Sequence, residues 1–239
     1  MNSLVYSGIK SIEDGQVSLR DAIDKLALDS GFSTSSLHPI YDGVNDISSY
    51  LGSSPKIMWV LKEPYDIISE GKASGGGWSI FDLYNRESVR PTLQVIAYTV
   101  YGYLNSILWP EMGSIRDNLE ILDVLKQIAY INISKMPSKT VSNNDTIGRL
   151  YKIWEPVLHK QFLLYNPDVI IFGNTYDHFE QYTVGHTLKP IFQDTETGLK
   201  VYSYLNKLLL SAYHPRQRKM TREKYVNALI SVLQSHYPR

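Results

Sequence analysis

The chain has 239 residues, 43% of them hydrophobic, with 24 basic and 24 acidic side chains and no cysteine. That length can bury a substantial core. The lack of cysteine excludes disulfides, thiolate metal sites, cysteine-ligated iron–sulfur clusters and a cysteine nucleophile. No apolar run reaches the roughly 18 residues that span a membrane, and Met1 to Ile12 lacks the basic-then-apolar pattern of a secretion signal. The expectation is a soluble, cytoplasmic protein with no membrane contact.

The zero net charge conceals an asymmetry. From Lys200 onward there are eight Lys/Arg and one acid, Glu223, which leaves 16 basic and 23 acidic side chains of the 24 of each sign before it. A local cationic patch on an acidic body suits a small anionic contact, such as a few phosphates, better than a broad nonspecific nucleic-acid coat.

Ser18 to Asp29 reads as the first helix, with Leu19, Ala22, Ile23, Leu26 and Ala27 on one face. Residues 1–50 are expected to add this helix and a loop. Lys56 to Leu61 is short, apolar and stopped by Pro64, so it reads as a buried strand. Gly71 to Gly77 is a glycine-rich loop. The apolar spacing predicts helices over Thr92 to Leu108, Ser114 to Ile128 and Asn144 to Leu164. Strands are predicted at Ala129 to Ile133, Asp168 to Phe172, Lys200 to Tyr204 and Leu208 to Tyr213. Thr221 to Ser235 closes the chain as a helix.

Apolar strands alternating with amphipathic helices imply an α/β fold: one domain over 1–239, three layers α/β/α, with a central, mainly parallel sheet. In such sheets ligands bind outside the carboxyl ends of the strands. That rule selects Lys62 to Asp66, Asn132 to Pro137, Gly173 to Tyr176 and Tyr213 to Arg218. These segments hold Glu63 directly after a strand, Asn132 inside a strand-like run where a buried amide needs partners, and His214 between a strand and Pro215.

In order and content these segments resemble the uracil-DNA glycosylase superfamily over about residues 55–235. The first family motif, a strand followed by Gly-Gln-Asp-Pro-Tyr-His or a variant, is matched by Leu61-Lys62-Glu63-Pro64-Tyr65-Asp66. The strand ending in a base-reading asparagine looks like Ile131-Asn132-Ile133, and a strand closed by glycine follows at Pro167 to Gly173. The last motif, His-Pro-Ser before a loop and a final helix, is similar to His214-Pro215-Arg216.

The resemblance implies a DNA glycosylase of base-excision repair that hydrolyses the N-glycosidic bond of a flipped-out uracil or other damaged base, with DNA as partner and no metal or cofactor. Glu63 and His214 would be catalytic, the carboxylate serving the sugar cation or the attacking water and the imidazole donating to the departing base. Asn132 would read the flipped base, Tyr65 would exclude a 5-methyl group, and Trp78 or Phe81 would stack on the ring. Arg216, Arg218 and Lys219 would grip phosphates, and Met220 would be an apolar wedge in the base stack.

The sequence departs from the family pattern at four positions. Leu61 stands for the usual glycine, Lys62 for Gln or Glu, Glu63 for Asp or Asn, and Arg216 for Ser. The alternative these changes imply is a catalytically inactive relative that binds nucleic acid or a nucleobase. An unrelated hydrolase or nucleotide enzyme is disfavoured, because the chain has no Gly-x-x-x-x-Gly-Lys-Ser/Thr loop and no Gly-x-Ser-x-Gly elbow.

Overall fold

Helix α1, Ser3–Asp29, buries Ile12, Leu19, Ile23 and Ala27, the stripe of one helix face. In the computed structural model, which describes residues 3–32, 37–64, 68–69, 72–73, 76–77, 79, 82, 90–138 and 143–239, this helix starts well before Ser18. Gly8, Gly15 and irregular apolar spacing conceal its first half in the sequence. Gly15 is a packing requirement, since a Cβ there would lie 2.3 Å from Leu164.

Strand β1 (Gly43–Val44) and helix α2 (Ile47–Leu51) follow, the Asp46 carboxylate capping α2 by accepting from Ser49 N at 2.9 Å. Strand β2 is Ile57–Leu61, and β3 (Ile68–Ser69) and β4 (Lys72–Ala73) make a separate antiparallel pair. Helix α3, Pro91–Asn105, starts on a proline, which suits the first helical position. Next come α4 (Trp109–Met112), a 3-10 helix at Leu119–Gln127 and strand β5, Ile128–Asn132. The long helix predicted from Ser114 is therefore replaced by a turn and a 3-10 helix. The Asn118 side chain accepts from Glu120 N at 3.1 Å and starts that tighter helix, while Ile121, Leu122, Val124 and Leu125 still bury the apolar side.

Helix α5, Asn144–Tyr165, is capped by Asn143. Strand β6 (Val169–Gly173) leads to α6 (Tyr176–Phe179) and a π-helical turn at Glu180–Val184. Strands β7 (Phe192–Gln193), β8 (Lys200–Tyr204) and β9 (Lys207–Ala212) precede α7, Arg222–His236, which Thr221 caps.

The seven-stranded sheet has the order β1-β5-β2-β6-β9-β8-β7. Its centre, β5-β2-β6-β9, is parallel, while β1, β8 and β7 pair antiparallel at the flanks. The protein is thus α/β with a mixed sheet and a parallel core. Successive β2 residues feed opposite faces: Ile57, Trp59 and Leu61 join a core with α3 and α7, and Met58 and Val60 join one with α1 and α5. Burial on both sides explains why these strands are apolar throughout. Each fully buried aliphatic side chain contributes about 1.5–3 kcal/mol. No helix among the described residues is long and apolar enough to cross a membrane.

The topology also places a crevice. From β2 the chain passes through α3 to β5 on one side, and from β6 it runs to β9 on the other. Connections that diverge from adjacent parallel strands open a crevice at the strands' carboxyl ends, here between Leu61 of β2 and Gly173 of β6.

Candidate functional site

A cavity of about 140 Å³ lies at the carboxyl end of β2, lined by Leu61, Glu63, Pro64, Arg90, Pro91, Thr92, Leu93, Tyr130, His214 and Arg216. A larger hollow of about 830 Å³ lies between α1 and α2, against Glu13, Arg20, Asp46 and Lys126. It borders the amino end of β5 and gathers no histidine, so it is remote from the strand ends the fold selects.

Glu63 is 7% exposed. Pro64 ends β2 beside it, and the turn is tied to the loop after β5. Ile133 N donates to Leu61 O at 2.8 Å, Ser134 N to Lys62 O at 2.9 Å and Ser138 N to Pro64 O at 2.9 Å. Lys62 reaches away to Asn144 Oδ1 at 3.2 Å, at the start of α5.

His214 arrives from β9, with β6 intervening. Gly173 at the end of β6 permits the approach. A Cβ there would sit 2.5 Å from Leu61 Cδ2, 3.3 Å from Pro215 Cδ and 3.5 Å from His214 Cα. The loop is fixed by Tyr225 Oη donating to Tyr213 O at 2.6 Å and by Gln217 N donating to His214 O at 2.8 Å. Arg216 N donates to His214 Nδ1 at 3.1 Å, which assigns the proton of the neutral ring to Nε2. Burial, then the positive charges of Arg216 and Lys62, push the imidazole down to about 4. At neutral pH His214 is an uncharged ring with one N–H to donate.

Asn132 ends β5 and is fully buried. Strand alternation assigns it to the face of Tyr130, and its register partner is Leu61; both neighbours line the cavity, while Asn132 itself is outside the lining. Its backbone N–H and side-chain Nδ2 donate to Asp42 Oδ2 at 2.6 and 3.2 Å. Asp42 Oδ1 accepts from Lys135 Nζ at 2.7 Å and Gln161 Nε2 at 2.9 Å, and Lys135 also donates to Asn132 O at 2.7 Å. The Lys135 and Asp42 side chains are 0% exposed. Burial pushes the Lys135 ammonium below its ordinary value, and Asp42 pulls it back up.

Among the basic-loop residues, Arg216 is exposed and lines the cavity. Arg218 and Lys219 are exposed, and the Lys219 amine lies 4.3 Å from the centre of the Tyr213 ring. Met220 is half-buried against the α3/α7 core, and its N–H donates to Gln217 Oε1 at 2.9 Å. Tyr65, Trp78 and Phe81 lie outside the described residues.

The sequence reading therefore finds Glu63, His214 and Arg216 at one cavity. It misses Tyr130 and Arg90, which also line it, and the Asp42–Lys135–Gln161 group behind Asn132. Strand alternation from Asn132 back to Tyr130 was the available signal. Nothing local marks a lysine or an aspartate as fully buried. Chemically, a buried carboxylate and a neutral N–H donor share a small cavity with two guanidinium groups at its wall. Such a set can stabilise positive charge on one side of a breaking bond and negative charge on the other. Compared with models of protein families and with curated proteins, the chain matches none.

Proposed function

We propose that the protein is a DNA glycosylase that hydrolyses the bond between deoxyribose and a flipped-out, damaged base. The observation that carries this reading is the meeting of Glu63 and His214 at one cavity, although they follow strands that are not neighbours. As the C1′–N bond breaks, the base leaves with the electron pair and the sugar becomes cationic. Glu63 stabilises that cation and takes the proton of the water whose oxygen adds to C1′. His214 donates its Nε2–H to the oxygen of the departing base. Because its ring is neutral, it acts as a hydrogen-bond donor and not as a source of a full proton. Arg216, Arg218 and Lys219 hold the phosphates, whereas Asn132 stands behind the cavity wall and supports it through Asp42.

The test is a panel of duplex and single-stranded oligonucleotides carrying uracil, hypoxanthine, xanthine or an alkylated base, with strand scission by alkali after incubation. Release of at least one base is expected. Glu63→Gln is expected to slow release by about 10²–10⁴-fold while leaving DNA affinity within a few-fold. An intact panel sinks the enzyme reading.

Leu61 favours a second reading, binding without cleavage. Its side chain lines the cavity at the motif's glycine position, where it competes with the sugar or water for space. Salt-dependent DNA binding with no base release supports this second reading.

A further inference from the structure

We propose that the hollow between α5, β6 and the β8–β9 hairpin is a docking site for a partner protein, held by one large apolar side chain followed by an acidic residue. The inference stands apart from the glycosylase reading, because the hollow lies at the other end of the sheet. Asn166 and Pro167 precede β6 and Lys207 opens β9, so this is the amino end of both strands. A protein seated there leaves the cavity of Glu63 and His214 open.

The hollow encloses about 280 Å³, with Phe162, Ile170 and Phe179 in its walls. Leu163 and Leu205 also line it, yet they are 80% and 74% exposed. Leucine is a costly choice at 205. Strands β8 and β9 are joined by two residues, Leu205 and Asn206, with φ of 48° and 62°. Two-residue hairpins with positive φ favour Asn, Asp or Gly, because the left-handed region sets a Cβ against the following carbonyl. Neither the turn nor the core therefore accounts for a leucine there. Exposed apolar side chains ringing an apolar hollow mark an interaction site. A small molecule fills the hollow and leaves both leucines wet. A protein fills it with one anchor and covers them, which is the layout of an interface hot spot.

Charge names the rest of the partner. The lining contains no acidic residue, and its permanently charged group is Lys207. The ammonium donates to Asn166 Oδ1 at 2.7 Å and to Pro167 O at 2.6 Å, both neutral acceptors. Among the described residues no carboxylate forms an ion pair with it. Burial pushes Lys207 below its ordinary value, Asp168 pulls it back up, and Lys56 lowers it again. Two of its three N–H groups are used, so the third is left for an incoming oxygen. A carboxylate beside the apolar anchor gains a charge-assisted hydrogen bond where water screens little. A basic residue in the same place meets like charge.

The test is an NMR titration of the full chain, labelled at its leucine methyls, with three blocked hexapeptides. The first is Gly-Ser-Phe-Asp-Ser-Gly, and the others carry Ala for Phe or Lys for Asp. The first peptide is expected to move the Leu163 and Leu205 methyl signals saturably. The Ala form should bind at least about tenfold more weakly, as loss of an anchor does, and the Lys form about fivefold more weakly. Leu205→Asn should weaken the first peptide by about tenfold while keeping or raising the thermal midpoint, because asparagine suits the turn. Lys207→Met should erase the difference between the Asp and Lys forms. No shift with any peptide, or equal shifts with all three, overturns the proposal. So does N-acetylphenylalanine binding as tightly as the hexapeptide, which would make the hollow a small-molecule pocket. So does a dimer in sedimentation that Leu205→Asn abolishes, which would make this face a contact between copies.

Discussion

Burial and the charges of Arg216 and Lys62 push His214 down to about 4, whereas an unfolded histidine titrates near 6.5. The unfolded chain therefore takes up a proton, between pH 6.5 and about 4, that the folded protein refuses. Stability from this group is complete above 6.5, falls as pH drops through that window, and has no more to lose below it. The loss is at most about 3 kcal/mol, and the half-buried ring's contact with solvent reduces it. Urea unfolding at pH 7 and pH 4.5 should show His214→Asn losing less stability between the two than the wild type. Equal losses would remove His214 as the source. The same shift keeps the N–H donor in one protonation state from pH 5.5 to 8, so base release should show no histidine titration there.

The strand ends make the site, and Gly173 is the element-level requirement. Gly173→Ala drives a Cβ to within 2.5 Å of Leu61 Cδ2 and 3.3 Å of Pro215 Cδ. An overpacked contact of that kind costs about 1–3 kcal/mol. Leu61→Ala in the same background should recover part of it, giving a non-additive cycle in denaturant unfolding. Additive costs would show that the two side chains do not meet. Strands β2, β5, β6 and β9 were legible because burial on both faces makes their sequences apolar without alternation, and the rule of carboxyl strand ends then found Glu63 and His214. Strands β1 and β7 have two residues each, too few for any period to register. The 3-10 helix carries helix-like apolar spacing and an asparagine cap that an α-helix also takes, so nothing local set it apart. Asp42 escaped for a different reason: its partners, Asn132, Lys135 and Gln161, are distant in sequence, and burial of a charge is decided by tertiary packing alone.

At the scale of the whole molecule, eight of the 24 basic side chains fall after residue 199 with a single acid, and the structure presents Arg216, Arg218 and Lys219 on one exposed loop beside the cavity. Gripping three phosphates should give a log–log salt slope of about −3, at ~0.9 per contact. Arg218→Ala/Lys219→Ala should flatten that slope by about 2, equally for every sequence tested, when binding is followed by fluorescence anisotropy. An unchanged slope would move the DNA contact elsewhere.

The separation of Glu63 from His214 has a consequence during synthesis. The carboxylate, the β2 turn and the Asn132 loop are all translated before β9 exists, and β9 must dock on β6 before an imidazole stands opposite Glu63. Contacts so distant along the chain form late. A nascent or truncated polypeptide thus carries the Glu63 carboxylate without the imidazole that faces it, and the two meet only once β9 has docked.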